Sequence, residues 1–156
     1  MGGYALVGVF EDTFSLVGER AHDSRVVFIT GGNRGIGAAI AERFAQAGDR
    51  VVIGHRTTNP PDFSARITSI NVDVRDSATL DSAFATIEGE LGPVEILINN
   101  AGIFGPLPFV ENIQKQRFGT VDLDVWADVL RVNTLGTINV TEALVDNVAA
   151  SEKKMI

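Results

Sequence analysis

Cysteine is absent from the 156 residues, and histidine occurs only as His22 and His55. Disulfides, thiolate metal sites and cysteine nucleophiles are therefore excluded, and no histidine-based zinc site is expected. Positive charge is scarce too: 13 Lys and Arg stand against 20 Asp and Glu, a formal net charge of −7. Such a surface does not suit nucleic acid or anionic lipid, so any phosphate must be met locally. Long apolar runs are missing. The stretch from Tyr4 to Phe10 has no basic leader and is cut off by Glu11 and Asp12, too short for a signal-peptide core or a membrane span. A soluble, cytoplasmic protein with one core is expected. Residues 1–24 read as an N-terminal extension, and 25–156 as the folded domain.

What is present is an alternation of short β-branched runs with longer helical stretches, the pattern of βαβ units on a parallel sheet. "RVVFIT" at 25–30 is a continuous apolar strand of the kind covered on both faces. Ile36, Ile40, Phe44 and Ala47 then fall at helical spacing, and Gly48 offers a C-terminal cap. Further strands are predicted at 50–55, 67–74 and 94–100. A helix capped by Asp76 carries Leu80, Phe84, Ile87 and Leu91 on one face and ends at Gly92. An irregular stretch over 102–121 is long enough to be a functional loop. A last helix is expected over about 122–149, with Val125, Val129, Leu144 and Val148 among its apolar positions. The fold class is thus α/β, a Rossmann-type doubly wound parallel sheet of about four strands in the order 3-2-1-4.

Between the first strand and its helix lies "TGGNRGIG", Thr30 to Gly37. A loop in this place delivers the first N–H groups of the helix, backed by its dipole, and a pyrophosphate fits there. Gly31 and Gly35 would allow tight turning and Gly37 a close approach of helix to strand. The spacing is G-x-x-x-G-x-G rather than the commoner G-x-G-x-x-G, and glycine-rich turns also arise for packing alone. The end of the second strand is where dinucleotide folds place an acid against the adenosine ribose. Here it holds Gly54, His55 and Arg56, with no carboxylate. Arg56, with Arg34 from the glycine loop, could instead converge on the 2′-phosphate of NADP(H). The same missing acid disfavours an S-adenosylmethionine methyltransferase. Solvated arginines are the plain alternative.

The TGxxxGxG loop, Asp73 after a third strand, "NNAG" at 99–102 and "VN" at 132–133 together resemble the short-chain dehydrogenase/reductase family over residues 25–156. "GGNRGIG" followed by "HR" is similar to its NADP-dependent 3-oxoacyl-carrier-protein reductases. The resemblance implies an oxidoreductase acting on a small carbonyl or acyl substrate, with NADP(H) as cofactor. It implies cofactor contacts from Gly31, Asn33, Arg34, Gly35, Ile36, Gly37, His55 and Arg56, adenine contacts from Asp73 and Val74, and a ribose wall from Asn99, Ala101 and Gly102. Asn133 would be a catalytic asparagine, supporting a lysine through a water. Without the family, Asp73, Asn99 and Asn100 could be turn formers and Asn133 a solvent-facing helix residue.

The family's tyrosine acid, the lysine four residues after it and the serine that holds the carbonyl have no counterpart. Tyr4 is the one tyrosine, the lysines are Lys115, Lys153 and Lys154, and no Y-x-x-x-K occurs. The expectation is the cofactor-binding half of a reductase, ending as a fifth strand begins and inactive alone. Its exposed fourth-strand edge would pair with another chain or serve a homo-oligomer. A noncatalytic NADP-binding sensor or partner module, and a remnant binding no nucleotide, are the alternatives.

Overall fold

The computed structural model describes residues 24–56, 62–63, 65–104 and 122–151. The extension before Ser24, the stretch 105–121 and the start of a fifth strand lie outside them. The apolar run forms β1 (Val26–Thr30), buried at all five positions. It is flanked by β2 (Arg50–His55) and β4 (Ile96–Ile98), and β3 (Ile67–Asn71) lies outside β2. All pairs are parallel, in the expected order β3-β2-β1-β4, with Phe28 opposite both Val52 and Leu97.

The period-two alternation of β1 divides the core. Val27 and Ile29 pack with Val51, Ile53 and Ile96 beneath α1 (Gly35–Gln46). Phe28 turns to the other face, beneath α2 (Ser77–Leu91) and α4 (Gly136–Ala150), meeting Leu80, Phe84, Leu97 and Val140. Its ring is edge-on to Phe84, with centroids 5.0 Å apart. At the base of the sheet, fully buried Asp49 accepts from Arg25 Nε (2.9 Å) and Nη2 (2.7 Å). That bond holds the Arg25 guanidinium above its ordinary range.

Helix α1 differs from the sequence expectation in its contact line. Gly37, Ala41 and Ala45 are buried, Ile40 and Phe44 flank them, and Ile36 is 76% exposed. The helix lies so close to the sheet that only small side chains fit between. It ends in a Schellman motif, with Gly48 at φ +99°, Gly48 N–H on the Ala45 carbonyl and Asp49 N–H on that of Phe44. The Asp76 carboxylate caps α2 through Ala78 N–H.

Two strands are shorter than expected. β3 stops at Asn71 because β2 runs out, the last rung being Val72 N–H to the His55 carbonyl (2.8 Å). β4 is confined to the three residues that face β1. The expected last helix is three pieces: α3 (Leu123–Leu130), a π-helical turn (Arg131–Leu135) and α4. The wider turn resets the periodicity, so that Val132, Gly136, Val140, Leu144 and Val148 are buried while α3 buries none of its residues. Among the described residues no helix is long and apolar enough to cross a membrane.

Candidate cofactor cleft

The parallel strands end on one side of the sheet, and the loops after them enclose a cleft of ≈ 490 Å³. Its floor is the glycine loop. Gly31, at φ +64°, donates its N–H to the Gly54 carbonyl (2.8 Å). The Asn100 amide donates to the carbonyls of Thr30 (3.0 Å) and Gly31 (3.1 Å). Thr30 Oγ1 accepts from the N–H groups of Asn100 (3.0 Å) and Ala101 (2.9 Å). These bonds tie the loop to the end of β4. A Cβ on Gly37 would stand 2.5 Å from both the Asn100 amide nitrogen and the Gly31 oxygen, and one on Gly32 would stand 2.4 Å from Ile53. The glycines at these two positions are therefore required by packing.

Gly35 differs: its φ is +53°, and a Cβ there would meet nothing within 4 Å. The first intrahelical bond of α1 runs from Ala38 N–H to the Arg34 carbonyl. The N–H groups of Gly35, Ile36 and Gly37 thus have no acceptor inside the helix. A phosphate is the chemistry such a terminus suits.

Near the end of β2, Gly54 is fixed by packing, since a Cβ would come within 2.9 Å of Val72 and Phe28. His55 is half-buried beside it, and its Nδ1 is buried without a hydrogen-bond partner. Arg34, Asn33 and Arg56 line the same cleft. Arg56 is half-exposed, its Nη1 3.8 Å from Asp73 Oδ2. Asp73 is gripped far more closely by Arg75, through Nε to both oxygens (2.9 and 3.1 Å), Nη2 (2.6 Å) and the backbone N–H (3.0 Å). The Arg75 bond holds the Asp73 carboxyl below the usual range against the opposing effect of burial, with Arg56 contributing least. The remaining Arg75 terminus, Nη1, reaches Asp128 of α3 (2.8 Å).

The far wall is Ala101, Gly102 and Ile103, with Phe104 82% exposed at the edge. Asn133, in the π-helical turn, accepts at Oδ1 from Ile103 N–H (2.8 Å) and donates from Nδ2 to the Ile103 carbonyl (2.9 Å). One lone pair and one amide hydrogen remain for a further partner. Val74 is set between Gly136, where a Cβ would stand 2.6 Å away, and Asn139, whose Nδ2 donates to its carbonyl (3.1 Å).

All the sequence-derived candidates except Asn99 therefore line one cleft. Asn99 turns the other way, its Nδ2 on Thr141 Oγ1 of α4 (3.2 Å). Asn100 makes the loop contacts instead. Gly32, Arg75 and Asn139 were not singled out from the sequence. Gly32 lies inside the motif, and no spacing rule marks the other two. Among the described residues no group of three His, Asp or Glu could hold a metal ion. The cleft suits a dinucleotide: backbone donors at a helix terminus, the cations Arg34 and Arg56 on its lining, and apolar Ile36, Val74 and Ile103 on its walls.

Comparison with known proteins agrees. The short chain dehydrogenase family model matches residues 25–156. The 3-oxoacyl-[acyl-carrier-protein] reductase MabA of Mycobacterium avium is 38% identical over 125 residues, 80% of this chain and 44% of that protein. An acetoacetyl-CoA reductase of Rhizobium meliloti is 33% identical over 125 residues, 78% of this chain and 48% of that protein. Among solved structures, the Thermoplasma acidophilum aldohexose dehydrogenase superposes with a TM-score of 0.70 at 26% identity, covering 82% of this chain and 46% of that one. An actinorhodin polyketide ketoreductase variant with NADPH gives 0.66 at 25% identity, covering 81% and 48%. The chain spans less than half the length of these curated relatives. It belongs to the short-chain dehydrogenase family, and its fold is that family's Rossmann sheet.

Proposed function

We propose that the cleft binds NADP(H) in preference to NAD(H), and that the chain is the cofactor-binding part of a reductase of carbonyl or 3-oxoacyl groups. The observation that carries the cofactor preference is that Arg56 at the end of β2 and Arg34 of the glycine loop line the cleft while no carboxylate follows the strand. When bound, the nicotinamide supplies or accepts the hydride. The α1 terminus holds the pyrophosphate, Arg34 and Arg56 the 2′-phosphate, Asp73 and Val74 the adenine, and Asn133 the segment against the nicotinamide ribose. Names of relatives that reduce 3-oxoacyl and acetoacetyl groups support the substrate class.

The 156 residues contain no Tyr-x-x-x-Lys, so turnover is expected only where such a pair is supplied. The same observation favours a second reading, a noncatalytic NADP-binding module, which would bind NADPH and leave it unoxidised in the presence of any carbonyl. A cytoplasmic location is part of this proposal, as is self-association through the exposed Leu123, Trp126 and Leu130 of α3 and through β4, the edge strand of the sheet among the described residues.

The test is fluorescence titration with NADPH and NADH. With roughly 1.5 kcal/mol per charged contact, the two arginines should favour NADPH about a hundredfold. Arg56→Asp should weaken NADPH and spare NADH. Equal loss of both would remove the assignment.

A further inference from the structure

The Asp73 carboxylate stands between two arginines and is shared unequally. Arg75 takes both oxygens at 2.6–3.1 Å, whereas Arg56 approaches one at 3.8 Å. Arg75 is itself engaged at all three nitrogens, Nε and Nη2 to Asp73 and Nη1 to Asp128. Arg75 also lines the cleft, but its charge is already compensated by these two carboxylates. Arg56, with its side chain 51% exposed, keeps most of its donors free. Asp73, Asp128, Arg56 and Arg75 form a neutral group of four charges.

We propose that Arg75 is a positioning residue for cofactor choice: by occupying Asp73 it keeps Arg56 available to the 2′-phosphate of NADP(H). The inference rests on the NADP(H) reading above and adds a residue that touches no phosphate itself. Without Arg75, two carboxylates face one cation. Arg56 swings onto Asp73 as a close charge-assisted pair. A 2′-phosphate must then break that pair and approach an uncompensated carboxylate. NADH, which lacks the phosphate, meets neither obstacle. Asp128 fixes Arg75 from α3, so the rim that reads the ribose is anchored to the helix leading into Asn133.

The experiment measures NADPH and NADH dissociation constants for the full chain and for Arg56→Ser, Arg75→Gln and the double variant Arg75→Gln/Asp73→Asn. A half-exposed ion pair is worth up to about a fivefold change in affinity. Arg75→Gln should therefore lower the NADPH-to-NADH preference about fivefold. The double variant should restore it, because the competing carboxylate is gone. A general loosening of the fold would weaken both cofactors together and would not be cured by a second substitution. If Arg56→Ser abolishes the preference and Arg75→Gln keeps it whole, the proposal is overturned while the NADP(H) reading stands. If Arg56→Ser leaves the preference intact, both fall. Should Arg75→Gln fail to fold, Arg75→Lys serves, since a single ammonium cannot grip both oxygens and Asp128. A partial loss of preference is then expected, and none would overturn the proposal.

Discussion

Asn133 and Ile103 exchange two hydrogen bonds, amide against backbone, at 2.8 and 2.9 Å across 30 residues of sequence. A side chain thus acts as a strand would, fastening the segment after β4 to the π-helical turn. Asn133→Ala should cost about 1–2 kcal/mol in urea unfolding and weaken NADPH, because the cleft wall is released. Asn133→Asp should cost more, since an oxygen then faces the Ile103 carbonyl where Nδ2 donated. Equal losses would mean that the amide is oriented otherwise.

Gly35 and Gly37 separate binding from stability. Gly37→Ala forces a Cβ to 2.5 Å from the Asn100 amide and the Gly31 carbonyl, and should destabilise by about 2 kcal/mol. Gly35→Ala meets no atom and carries only the strain of a left-handed φ of +53°, about 1–2 kcal/mol. Its methyl group points into open space where a pyrophosphate would lie. NADPH affinity should therefore drop tenfold or more in a protein that still unfolds cooperatively. Affinity retained in Gly35→Ala would place the phosphates elsewhere.

Asp73 should mark the acid limb of the stability profile. Arg75 holds its folded-state pKa below the unfolded value, which is about 3.9. Stability from such a group is present above the unfolded pKa and is lost as pH falls through the folded one. The advantage of the wild type over Asp73→Asn should therefore shrink as pH is lowered from 7 to 3 in a urea series. A constant gap would deny the coupling.

The parts legible in the sequence were those where one steric rule decides. The largely apolar β1 had to lie between two layers, Gly31 had to allow a tight turn, and Gly37 had to let the helix approach closely. Asn99 and Asn100 show the limit: adjacent residues at a strand end point oppositely, and composition does not say which faces the loop. Nor does spacing reveal that 131–135 widens to a π turn, because the helix signal from Val125 to Val148 is continuous on either side of it. Spacing does not mark Arg75, because its second partner, Asp128, lies 53 residues further on.

Thr30 and Asn100 also bear on how the protein comes into being. The glycine loop takes part of its shape from bonds reaching 69 to 71 residues along the chain, so it is not completed until β4 has docked on β1. Chain closure of that span is slow relative to forming β1 and α1. On the proposed reading, nucleotide affinity would be an attribute of the late, assembled sheet, and a bound nucleotide would favour the docked strand by mass action. The cleft reports the completion of folding as well as the presence of ligand.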